Sequence, residues 1–230
     1  MADAKEIKKD EKVSSKVVFK SGLWYTISTF LFRSVAFLTT PVIVRVLSKA
    51  QYGDFNNMQS WLGFVIIFVS FCLEQTIIRA KLDYEDEIDS YTFTILVTQT
   101  IVTTVVFLLI GIFKDPICAY TDIDSKYILI IYFYILFSNA YSVYVIRERA
   151  HYRYKAYSLI TGLIIVAYCL LTVFLVLNMN DKLDAIVYGN YLPYIIIGIV
   201  FYILIARDGR HIKWEHLKYA LPLEIGRAHV

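Results

Sequence analysis

The sequence predicts an all-α integral membrane protein, a six-helix transmembrane bundle, and three observations carry that prediction. Of 230 residues, 58% are apolar and 19% charged, against about half and about a quarter in soluble domains. The charges are bunched into short connectors, so the stretches between them are apolar on every face, unlike a surface helix with a single core stripe. Six such stretches reach the roughly 20 residues that cross about 30 Å of hydrocarbon at 1.5 Å per residue. None alternates in polarity, which excludes the tilted strands of a barrel.

Residues 1–20 form a basic tail carrying Lys5, Lys8, Lys9, Lys12, Lys16 and Lys20. A signal-peptide head fits less well, because Arg33 interrupts the apolar part and no small-x-small cleavage pattern follows. The membrane unit occupies 21–206, with spans expected at 22–44, 55–78, 91–113, 127–146, 156–177 and 185–206. A polar connector fills 207–219, where Trp214, Leu217 and Lys218 suit a short helix along the membrane surface. Residues 220–230 read as the start of a truncated seventh span with an atypical tail, as in a fragment.

The connectors set the direction. The tail and the connectors on its side hold sixteen Lys and Arg, and those opposite hold five. Cytoplasmic segments carry such an excess, so the N-terminus and 207–219 are expected on the cytoplasmic side of the inner membrane. The acidic run Asp83, Glu85, Asp86, Glu87 and Asp89 does not reverse this, since carboxylates contribute little to the bias. It reads as a solvated turn, with a cation site as the alternative. Trp24, Tyr25, Tyr91 and Tyr152 suit the inner interface, and Tyr52 and Trp61 the outer one. Tyr132, Tyr134, Tyr141 and Tyr168 fall deeper, as packing residues or as the lining of a polar route.

A net charge of +3 and a pI of about 8.6 do not indicate nucleic acid, because no basic stripe follows an amphipathic helix. Cys72, Cys118 and Cys169 are too scattered for a disulfide framework or a zinc spacing. His211 and His216 would sit about 140° apart on a helix, which makes them poor metal partners. No Gly-rich phosphate loop, paired catalytic carboxylates or Ser/His/Asp arrangement appears, so neither a cofactor nor enzymatic activity is expected.

The polar groups within the spans are the candidate sites. Arg33 lies near the middle of the first span, where an ionisable group is costly and tends to face a bundle interior or a water-filled path. Its planar fork suits phosphate or carboxylate, although bonding to helix carbonyls with a stem reaching for the surface is the plainer alternative. Glu74, beside Gln75, lies roughly 7 Å inside the second span, as a coupling carboxylate or an interfacial cap. Pro41 removes a hydrogen bond and disfavours helical geometry at Thr40, so a bend is expected, with or without a gating role. Pro193, followed by Gly198, invites the same pair of readings. Asn139 reads as interhelical glue before a ligand contact.

Residues 20–55 carry a denser pattern: Arg33, Thr40–Pro41, Arg45, Leu47–Ser48 and Tyr52–Gly53. This pattern resembles the start of polysaccharide biosynthesis membrane proteins. These are the Wzx-type oligosaccharide-lipid flippases of the multidrug/oligosaccharidyl-lipid/polysaccharide exporter superfamily. The run KYALPL from Lys218 to Leu223 looks like their entry into a seventh helix. The resemblance covers the six-span half and implies one lobe of a two-lobe, alternating-access transporter. The implied cargo is a polyprenyl-pyrophosphate-linked oligosaccharide carried from the cytoplasmic to the outer leaflet. Arg33 and Arg45 would then be substrate-binding residues, with Glu74, Pro41 and Asn139 as candidates for coupling or gating. The implied partners are the lipid-linked oligosaccharide, membrane lipids, a polysaccharide polymerase and glycosyltransferases. A multidrug or small-cation exporter is the alternative transporter, better served by a buried carboxylate than by Arg33. A non-transporting membrane scaffold for glycan synthesis is the alternative outside transport. A glycan polymerase fits poorly, because the outer connectors are too short for its chemistry.

Overall fold

A computed structural model describes residues 22–30, 34, 41 and 43–227. Most of the expected first span, Arg33 included, therefore lies outside the described residues; residues 22–30 are helical. Beyond them come α1 (Lys49–Ser70), α2 (Ile77–Asp83), α3 (Ile88–Ile112), α4 (Lys114–Thr121), α5 (Ile128–Ala150), α6 (Tyr154–Asn178), α7 (Lys182–Gly209) and α8 (Trp214–Arg227). All regular structure among the described residues is helical. Four of these helical stretches are long and apolar enough to cross a membrane, and α1 with α2 makes a fifth if the bent pair is one span.

Helices α3, α5, α6 and α7 end within four residues of the expected spans. Their limits have local causes. Asp181 caps α7 by accepting from the Leu183 and Asp184 amides, which satisfies donors left free in a first turn. Ser48 and Gln51 form a reciprocal capping box at the start of α1, so that helix begins six residues before the expected span.

The second span is not the continuous helix 55–78 that its hydropathy implied. Helix α1 stops at Ser70, and Phe71 and Cys72 take left-handed backbone with φ of 47° and 52°. A 3-10 turn over Leu73–Thr76 follows, and α2 leaves at 49° to α1. Neither break residue is Gly, and the left-handed state costs other residues about 1–2 kcal/mol each. Cys118 lies on α4, a short helix in the connector between the third and fourth expected spans.

Helix α7 is the centre of the packing. Gly189 faces α6, Gly198 faces α5 and Gly209 faces α3. A Cβ added to each would lie 2.6 Å from Thr172 Cα, 2.7 Å from the Phe137 carbonyl carbon and 2.6 Å from the Asp89 oxygen, respectively. Small residues let membrane helices approach this closely, and van der Waals contact supplies the attraction that water does not. Pro193 is buried within α7 and does not end it. Aromatic stacking reinforces the α5–α7 seam: Tyr134 on Tyr191 at 4.4 Å and Tyr144 on Phe201 at 4.2 Å. Tyr141 meets Tyr194 edge-on at 5.5 Å. Of the deep tyrosines, Tyr134 and Tyr141 are thus packing residues.

The interior divides into two apolar cores. One, toward the basic connectors, gathers Leu73, Ile77, Tyr91, Ile95, Val143 and Ile205. The other, toward the opposite end, gathers Phe55, Leu62, Val69, Ile131, Ile135 and Tyr191. The break at Phe71–Cys72 falls where one core gives way to the other.

Candidate functional site

Polar side chains collect between the two cores. Ending α1 at Ser70 frees carbonyls that lack a partner one turn on. Gln99, from the middle of α3, supplies one: its Nε2 donates to the Ser70 carbonyl at 3.2 Å and to Glu74 Oε2 at 2.8 Å. The Cys72 amide donates to Ser70 Oγ at 3.1 Å and holds the turn. Two acceptors on one nitrogen fix which way the Gln99 amide faces. Its Oε1 is buried and, among the described residues, has no hydrogen-bond partner. One turn along α3, Thr103 Oγ1 accepts from Asn139 Nδ2 of α5 at 3.3 Å. Glu74, Gln99, Thr103 and Asn139 therefore form a row from the broken span across α3 to α5. Tyr202 beside Thr100 at 3.4 Å and Tyr132 beside Thr104 at 3.3 Å extend its polarity on α3. Such a row can exchange protons at a carboxylate and present donors and acceptors to hydroxyls, between two apolar cores.

The structure brings together two of the residues singled out from sequence, Glu74 and Asn139, and separates others. Arg45 is exposed on a helical turn just before α1. The 22 residues of α1 put it roughly 33 Å along the axis from the break. Pro41 is helical and exposed, and Thr39, Thr40 and Arg33 lie outside the described residues. Sequence reasoning missed Gln99, although a lone amide in a 25-residue apolar helix was a legible signal.

A second polar assembly joins the basic connectors. Arg147, only 7% exposed, reaches Asp89 of α3 and Asp208 of α7 at 3.1 Å each and packs over the Tyr144 ring. Glu87 pairs with Lys213 at 2.6 Å and with the buried His216 at 3.2 Å. Asp83 accepts from the Tyr219 hydroxyl, and Glu85 meets Lys81 at 3.3 Å. Burial, then the bond to Asp83, raises the Tyr219 phenol above its ordinary value, so it remains a neutral donor. The acidic run is accordingly more than a solvated turn: Asp83 and Glu87 dock α8 onto α2 and the α2–α3 connector, and Asp89 ties α3 to α5. Among the described residues no group of three or more His, Cys, Asp or Glu is placed to hold a metal.

No curated protein and no solved structure matched the chain. A family profile described as "Polysaccharide biosynthesis protein" matches residues 18–223. That match takes in the broken span, the polar row and the docked α8, and the chain belongs to this family of polysaccharide-biosynthesis membrane proteins.

Proposed function

We propose that the chain is one lobe of a flippase that carries a polyprenyl-pyrophosphate-linked oligosaccharide across the cytoplasmic membrane. In this reading residues 22–44 add a sixth span to the five, and both ends of the lobe face the cytoplasm. The family is a non-catalytic class of transporters and scaffolds, in keeping with a carrier. One observation carries the proposal furthest: a discontinuous helix beside a polar row set between two apolar cores. Carriers commonly place broken helices near the bilayer midplane, where freed backbone groups and a few side chains meet polar cargo or coupling ions. A row this sparse suits cargo that is itself mostly lipid. Arg33 would receive the pyrophosphate as a planar, charge-assisted partner, Arg45 would guide the anionic group at the outer end, and Glu74 would couple or gate.

The test is translocation of lipid-linked oligosaccharide in vesicles reconstituted with the protein. Arg33→Ala should abolish it while expression and melting stay as in the parent, and wild-type translocation in that variant would sink the assignment. The half-buried Glu74 favours a second reading, a small-cation exporter of the same superfamily. Efflux of a cationic dye that Glu74→Gln abolishes, from vesicles that leave the glycan in place, would decide for that reading.

A further inference from the structure

We infer that the end of the bundle opposite the basic connectors binds a single phospholipid with an ammonium headgroup, one of its two acyl chains lodged between α1, α3, α4 and α5. This inference does not depend on the cargo proposed above. The slot encloses about 580 Å³ and is lined by Leu62 and Val65 of α1, Phe107 of α3, Ile117 of α4 and Ile131 of α5. It adjoins a second cavity of about 330 Å³ lined by Asp54, Asp122, Asp124 and Lys126. Met58, Cys118 and Ile123 wall both, so an apolar slot opens directly into a charged pocket. Both volumes are in the range of ligand sites, about 300–1,000 Å³.

The walls are held in place. Asn57 Nδ2 of α1 donates to the Thr121 carbonyl at 2.5 Å, which ties the end of α4 to α1. Trp61 and Tyr120 meet edge-on at 5.9 Å beside the slot, the kind of aromatic pair that sits at headgroup depth.

The charge of the pocket selects the occupant. Lys126 is engaged by Asp184 at 2.8 Å and Asp181 at 3.8 Å. Among the described residues, Asp54, Asp122 and Asp124 pair with no cation. The pocket thus repels a purely anionic headgroup and attracts an ammonium, while Lys126 on the rim offsets the adjoining phosphate. A molecule with a chain for the slot and an ammonium for the pocket is phosphatidylethanolamine. A soluble cation would leave the slot unfilled, and phosphatidylglycerol would bring no positive charge to the carboxylates.

Trp61 reports on the slot directly. With Trp24→Phe and Trp214→Phe, it becomes the sole tryptophan of the three. The protein is reconstituted in vesicles containing brominated phosphatidylethanolamine or brominated phosphatidylglycerol, and Trp61 quenching is read against mole fraction. Half-quenching should come at about fivefold lower mole fraction of the ethanolamine lipid, the ratio one charge pair gives at a membrane surface. Asp54→Asn, Asp122→Asn and Asp124→Asn together should bring the two lipids to parity while phosphatidylglycerol quenching persists. Raising the salt should erode the preference without any substitution in the pocket. Equal quenching by both lipids at low salt would overturn the inference, as would quenching by neither, which would mean that something else covers the slot. A preference that survives the triple substitution, or high salt, would also overturn it.

Discussion

Gly198→Ala should loosen the bundle measurably, and the structure sets the size of the effect. An added Cβ would lie 2.7 Å from the Phe137 carbonyl carbon of α5, where carbon atoms rest at about 3.5 Å. The two helices would have to part by about 0.8 Å at that point. The obstacle is backbone, so no rotamer change relieves it. Overpacking of this kind costs about 1–3 kcal/mol, partly offset by up to about 1 kcal/mol of helix propensity that alanine recovers. Gly63 and Gly111 provide the control, because nothing lies within 4 Å of a Cβ built on either. Thermal unfolding in one detergent, followed by circular dichroism, measures all three. Gly63→Ala and Gly111→Ala should melt at or above the parent. Gly198→Ala should melt below it, by about 2–4 °C for each kcal/mol lost. A Gly198→Ala protein melting with the controls would refute the close approach of α5 and α7.

Two further outcomes test other parts of the fold. Arg147→Met leaves Asp89 and Asp208 facing one another, but these side chains are 53% and 43% exposed and rehydrate. The loss should therefore be about 1–3 kcal/mol, below that of a fully buried pair. A double-mutant cycle with Asp208→Asn reads the coupling, and strictly additive losses would remove the ion pair from the account. At the break, Phe71→Gly should raise the melting temperature and Phe71→Ile should lower it, since a β-branched residue tolerates positive φ least. The same sign for both would argue against left-handed backbone at that position.

The spans were legible because hydropathy over twenty residues is a strong, purely local signal. The four helices from α3 to α7 that are long enough to cross a membrane needed nothing else. The break in the second span was not legible. Phe71 and Cys72 are apolar and carry no Gly or Pro warning, and the turn is fixed by Gln99, a residue from another helix. For the same reason Glu74 and Asn139 could be singled out separately but not linked: their connection runs through Gln99 and Thr103 on α3. Charge counting gave the basic connectors a side but not a structure. Arg147 sits among four basic residues in sequence, yet its partners are 58 and 61 residues away, and no spacing rule identifies them.

The division into two cores has a mechanical consequence. A helical bundle with one continuous interior transmits a displacement from end to end, because every layer is wedged against the next. Here the fifth of the crossing segments is already creased at the level where packing changes hands, and hydrogen bonds, which re-form at little cost, replace interlocking side chains there. Helix α2 can change its angle to α1 while α3, α5, α6 and α7, each unbroken, keep their grip.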